Sequence, residues 1–134
     1  MTGEERRFAD RWEEAVADRD SAAVAALLAD DIVFRSPAVH RPYQGRETVA
    51  ALLGHVIEVF GDLTYTAVYG SGEGGIVMQF ETGVSGPDRV FQLEGVDIFR
   101  LDADGKVSEL CVMIRPLSGL QALAAAMAAR LGAA

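Results

Sequence analysis

Between Leu63 and Arg115 the chain reads as four strands in succession, joined by connectors too short to hold a helix. The runs are Leu63 to Tyr69, Gly75 to Ser85, Arg89 to Leu101 and Val107 to Arg115. Their connectors, Gly70-Ser71-Gly72-Glu73-Gly74, Gly86-Pro87-Asp88 and Asp102-Ala103-Asp104-Gly105, are built of turn formers. Connectors of this length reverse the chain, so the runs are expected to form an antiparallel meander. Two of them are longer than an ordinary strand, and such a sheet has to twist and bend. Gly83, Gly86 and Gly95 offer places for that.

The helices that cover such a sheet come from the rest of the sequence. Phe8, Trp12, Ala15 and Val16 recur at helical spacing and predict a first helix of about four turns. Asp18-Arg19-Asp20-Ser21 interrupts it, and Asp20 or Ser21 can accept the free amide hydrogens of a short second helix carrying Val24, Leu27 and Leu28. Ile32 to Arg35 is a short strand, ended at Ser36-Pro37 because proline lacks the ladder donor. A loop from Ser36 to Gly45 leads to a third helix from about Arg46 to Phe60, whose Val49, Leu52, Leu53, Val56, Ile57 and Phe60 form a wide apolar stripe. After Pro116 a final helix carries Leu117, Leu120, Leu123 or Ala124, Met127 and Leu131 and is expected to pack on the sheet or on a partner chain. The order predicts an α+β fold, with the curved sheet enclosing a concave pocket over the third helix.

Length and charge narrow the function classes. A chain of 134 residues is expected to form a single domain over 1–134 that needs no metal or disulfide staple. Its formal charge of −8 repels a phosphate backbone, which argues against nucleic acid and anionic membrane as partners. The charged start has no signal-peptide pattern, and the apolar-looking stretch over 120–129 is far short of a membrane span. The single cysteine, Cys111, forms no internal disulfide, so a cytoplasmic location is expected.

Strand parity gives the sharpest chemical clue. Phe91, Leu93, Gly95, Asp97, Phe99 and Leu101 share one face of their strand, which is the more uniformly apolar one. A carboxyl group there loses its hydration, and that favours the protonated acid, suited to donating a proton or a hydrogen bond at neutral pH. The structural alternative is that Asp97 pairs with Arg35 or Arg115, or faces a bulge near Gly95. His40 is the second acid/base candidate, in a loop with Tyr43; its bland alternative is a solvated side chain. His55 reads as a boundary residue of the third helix. No HExxH pattern or clustered carboxylates accompany the histidines, so neither a metal nor another cofactor is expected. Ser36 has no GxSxG turn around it, which argues against a serine hydrolase. Trp12, Met78 and Phe80 are core anchors or pocket walls.

The stretches "RWEEAVADRDSAAVAALLADDIVFRSP", "YQGRETVAALL" and "GVDIFRLDADGKVSEL" resemble the nuclear transport factor 2-like superfamily, in particular its ketosteroid isomerase and SnoaL-like polyketide cyclase branches. The resemblance spans nearly the whole chain and is more specific for the fold than for one activity. It implies a cone-shaped barrel, a strongly curved antiparallel sheet wrapped around helices, often dimeric through the outer sheet face. In a ketosteroid isomerase the neutral aspartic acid would correspond to Asp97. The hydrogen-bonding tyrosine would correspond to Trp12, and the general base to Ser36, so two of three positions depart and steroid isomerisation of that kind is not expected. The SnoaL-like branch implies a cofactor-independent isomerase, cyclase or lyase, with acid/base work by Asp97 and His40 on an enolisable carbonyl compound. The ligand-binding wall would be Trp12, Ser36, Tyr43, Phe60, Met78, Phe80, Leu110 and Val112. The expected partners are a small hydrophobic molecule and a second copy of the chain. A non-catalytic ligand-binding or dimerisation module is the alternative.

Overall fold

Thr2 starts the first helix. Its hydroxyl accepts the Glu5 amide hydrogen while the Glu5 carboxylate accepts that of Thr2, a reciprocal cap that fixes the beginning of α1 (Gly3–Ala17). The computed structural model describes residues 1–132. Asp20 caps the short α2 (Ser21–Ala26) by accepting from the Ala23 amide. There follow β1 (Leu28–Arg35), the two-residue β2 (Tyr43–Gln44), α3 (Arg46–Val59), β3 (Thr64–Gly70), β4 (Gly75–Ser85), β5 (Val90–Leu101), β6 (Val107–Arg115) and α4 (Leu117–Gly132).

The fold is α+β, with six strands ordered β2-β1-β6-β5-β4-β3. β3 to β6 form the expected antiparallel meander, and β4 and β5 pair from Gly75 opposite Arg100 to Ser85 opposite Val90. The sheet as a whole is mixed, which corrects the expectation of an antiparallel one: β1 lies parallel to β6. Short connectors dictate direction only between sequential neighbours. β1 reaches β6 across the whole intervening chain, and no connector constrained its direction. The sheet is also not closed into a barrel, since β2 and β3 are its two edges.

Several boundaries differ from the sequence expectation, most by one residue; β1 opens at Leu28 instead of Ile32, and the loop expected over Ser36 to Gly45 contains β2. Leu28, read as part of the second helix, opens β1 opposite Val107 and is fully buried, because a fold contact outweighs its helical spacing. Phe60 leaves α3 in an extended conformation and bridges to Val84. The irregularities in strand pairing also lie elsewhere than at the expected glycines: between Leu28 and Val33, Tyr65 and Ala67, and Arg100 and Leu101. Gly95 is needed for a different reason. A Cβ there would collide with the Met113 carbonyl and come within 2.8 Å of the Phe80 ring, so the missing side chain lets Phe80 approach β5 closely.

The core sits between α1, α3 and the inner sheet face, where Phe8, Trp12 and Phe99 pack edge to face and stacked. A second group, Phe60, Phe80, Val84, Leu93 and Leu123, fills the space under α4. Glu5 links the first helix to the sheet. Besides its capping bond it accepts the amide hydrogens of Gly72 and Gly74, tying α1 to the β3–β4 turn. Those bonds, led by the one from Gly74, hold its carboxyl below the usual range.

Candidate functional site

Alternation along β5 turns Leu93, Asp97 and Phe99 inward, and all three are buried. On β3 the exposed Thr64 and Thr66 turn Tyr65 to the same side. The two strands are separated by β4 alone, and the Tyr65 hydroxyl crosses the gap to donate to Asp97 Oδ2 at 2.8 Å. From the opposite layer, the indole Nε1 of Trp12 on α1 donates to the same hydroxyl at 2.9 Å. A chain of three side chains from three elements thus ends on one carboxyl group.

Neither arginine proposed as its partner reaches Asp97. Arg35 pairs with Glu109, and Arg115 pairs with Glu94 on the outer face. Asp97 is 8% exposed. Burial pushes its carboxyl up to about 7, against the opposing effect of the Tyr65 hydrogen bond and of the Trp12 N–H behind it. Burial and the charge of Asp97 together push the Tyr65 phenol well above its ordinary value.

Asp97 lines a cavity of about 340 Å³ between the inner sheet face, α3 and α4. Of the residues named from sequence, Trp12, Ser36, Tyr43, Phe60, Phe80, Leu110 and Val112 line the same cavity. Met78 does not: it is fully buried in the core. His40 is exposed in the loop after β1 and is not among the lining residues, so the structure separates it from Asp97. His55 accepts a hydrogen bond from Arg130 at 2.8 Å, away from the cavity. Sequence reasoning missed Tyr65, although the Thr64/Thr66 alternation was a signal for it. It also left open what α4 covers. Leu123, Ala124, Met127, Ala128 and Leu131 of α4 form one wall of the cavity.

The remaining polar groups on the wall are hydroxyls. Tyr43 stacks on Phe34, and Ser36 Oγ accepts the Ala38 amide at 3.1 Å, which leaves its own proton free. Among the described residues no group of three or more His, Cys, Asp or Glu side chains could hold a metal ion. No helix there is long and apolar enough to cross a membrane. Chemically, the site is an apolar chamber with one titratable carboxyl on its wall.

Comparison with known proteins agrees with this geometry. The crystal structure of a steroid delta-isomerase from Pseudomonas aeruginosa is similar with a TM-score of 0.89 and 36% identity, over 99% of this chain and 95% of that one. An uncharacterized protein with a cystatin-like fold from Silicibacter pomeroyi matches with a TM-score of 0.84 and 34% identity, over 92% and 84% of the two chains. An LEH-like epoxide hydrolase from M. tuberculosis shares the fold at 18% identity, with a TM-score of 0.72 over 99% and 98% of the chains. No curated protein matches the sequence. The SnoaL-like domain family matches residues 9–110. The chain therefore belongs to the SnoaL-like domain family, within the nuclear transport factor 2-like superfamily.

Proposed function

We propose that the chamber binds a small, uncharged, hydrophobic carbonyl compound and that Asp97 acts on it as a general acid, without a cofactor. The observation that carries this reading is a carboxyl pushed up to about 7 on the wall of an apolar cavity. At neutral pH a large fraction of it is the neutral acid. In the proposed step the Asp97 O–H proton passes to the carbonyl oxygen as an α C–H proton passes to water, giving an enol, a carboxylate and hydronium. Return of a proton from hydronium to the same or the conjugated carbon, and of the enol proton to Asp97, completes exchange or isomerisation. Trp12, Phe80, Leu110 and Val112 exclude bulk water, while the Ser36 and Tyr43 hydroxyls are placed to support the developing charge. The similarity to a steroid delta-isomerase over nearly the whole chain supports a reaction of this class.

One observation favours a second reading, a binding module without turnover. Among the residues lining the cavity Asp97 is the sole carboxylate and none is a histidine, so no general base accompanies the acid. Exchange of the α-protons of 1-tetralone in D2O separates the two. The catalytic reading predicts exchange that falls at least about a hundredfold in Asp97→Asn; equal exchange by both proteins, with tetralone bound, would leave the binding module.

The same proposal takes residues 1–134 as one cytoplasmic domain working as a homodimer. The outer sheet face supports the dimer: Tyr69, Val77, Ile98 and Cys111 form one row across it, beside Val96 and Met113. Tyr69, Val90 and Met113 are each more than half exposed.

A further inference from the structure

Tyr65 stands between two groups of unequal character. An indole N–H only donates, and that of Trp12 is spent on the Tyr65 hydroxyl. The Tyr65 proton has to leave in another direction, and its one acceptor among the described residues is Asp97 Oδ2. Turning it elsewhere would leave a buried hydroxyl without a partner, which folded proteins avoid. With Oδ2 occupied as an acceptor, the proton of the neutral carboxyl belongs on Oδ1. Among the described residues that oxygen has no hydrogen bond, and no fully buried side-chain oxygen there lacks a partner. Oδ1 therefore keeps accessible surface, and the accessible surface of Asp97 is the cavity wall.

We infer that Trp12 and Tyr65 are positioning residues that set the polarity of the site: they commit the proton of neutral Asp97 to Oδ1, so the cavity offers its ligand a hydrogen-bond donor. The ligand selected is one with an unprotonated acceptor oxygen, a ketone over the hydrocarbon of the same shape. Ser36 and Tyr43 cannot make this choice, because a hydroxyl rotates and both donates and accepts. The inference rests on the reading of the cavity as a site for a small apolar carbonyl compound. It adds that Trp12, which departs from the tyrosine of a ketosteroid isomerase, has a role that a phenol would lose: a phenol at that position could accept the Tyr65 proton and let the chain reverse.

Two measurements test it. In the ligand-free protein, carbon-13 NMR of the Asp97 carboxyl follows its titration in wild type, Tyr65→Phe and Trp12→Phe. The midpoint is expected to rise by about one pH unit in Tyr65→Phe, which loses a hydrogen bond to the carboxylate, and by less in Trp12→Phe. An unchanged midpoint in both variants would overturn the coupling, and Tyr65→Phe, which deletes one oxygen atom, keeps the test available if the shorter ring at position 12 disturbs folding. In the second measurement, calorimetry compares 1-tetralone with tetralin at about pH 5.5 and about pH 9. Wild type is expected to prefer the ketone about tenfold at the lower pH and to lose that preference at the higher. Asp97→Asn, whose amide oxygen accepts from Tyr65 while its NH2 faces the cavity, is expected to keep the preference at both. A wild-type preference that persists at the higher pH, or an Asp97→Asn variant with none, would overturn the polarity. Binding of neither compound by wild type contradicts the pocket reading alone, and the ligand-free titration still decides the coupling.

Discussion

Tyr65 donates its phenolic proton to Asp97 Oδ2 at 2.8 Å, and this bond joins strands that are 32 residues apart in sequence and separated by β4 in the sheet. It explains how a carboxyl group can be buried with no cation beside it: one oxygen is satisfied, and the other opens on the cavity. A bond to the ionised form alone would lower the carboxyl, yet burial outweighs it and the net direction is upward.

The stability of the protein should carry the mark of that direction. The folded Asp97 carboxyl, at about 7, lies above its ordinary value of 3.8, so between those pH values the folded state holds a proton that the unfolded state has lost. Its contribution is fully present below the lower value and is lost as pH rises towards the upper, a change on the order of 4 kcal/mol. Asp97→Asn cannot titrate and escapes this loss. Urea unfolding at several pH values should show the variant gaining on wild type as pH rises from about 4 to about 8; a constant difference between them would contradict the account.

Glu5 predicts a trend of the opposite sign. Its carboxyl is held below the ordinary range, so its contribution is present above that range and is lost as pH falls through the folded value. Glu5→Ala should lower the melting temperature at neutral pH and lose less on acidification than wild type does. The local readout is hydrogen exchange at the Gly72 and Gly74 amides, which donate to Glu5. Faster exchange confined to that turn supports the clamp, and unchanged exchange rules it out.

Much of this arrangement was legible in the sequence, and the exceptions have physical causes. The alternation Leu93, Asp97, Phe99 identified the inward carboxyl because a buried strand with a period of two leaves no ambiguity about its faces. The meander followed from its connectors. The parallel pairing of β1 with β6 did not, since no local signal records the direction of a strand that pairs across most of the chain. His40 was attractive by residue type alone, and its exposed loop places it outside the cavity. Met78 alternates like a wall residue but faces the filled part of the core, a distinction that depends on packing. Tyr65 belongs to a strand whose neighbours Thr64 and Thr66 marked it as inward, but its partner lies on a different strand, and sequence spacing does not bring them together.

Gly95 tests whether β5 and Phe80 are as close as the fold requires. Gly95→Ala puts a methyl group against the Met113 carbonyl and the Phe80 ring. It should cost about 1–3 kcal/mol, as overpacking does, and it should disturb the cavity because Phe80 is one of its walls. Chemical denaturation gives the first effect and tetralone affinity the second; a neutral substitution would show that the strand has room.

The outer face carries the dimer prediction. Val96 sits in its middle, between Gln79 and Met113 on the neighbouring strands. Sedimentation of wild type should show twice the 14.3 kDa chain mass at micromolar concentration, and Val96→Arg should shift it to the monomer. A wild-type monomer would refute the assignment without touching the site.

The central claim is that Asp97 is a neutral acid at the edge of an apolar chamber near neutral pH. The most direct measurement is the carbon-13 carboxyl titration of Asp97 in the ligand-free wild-type protein. The account predicts a midpoint at about 7. A midpoint at the ordinary value of 3.8 would mean a permanently ionised carboxylate and would contradict both the proposed chemistry and the polarity assigned to the site.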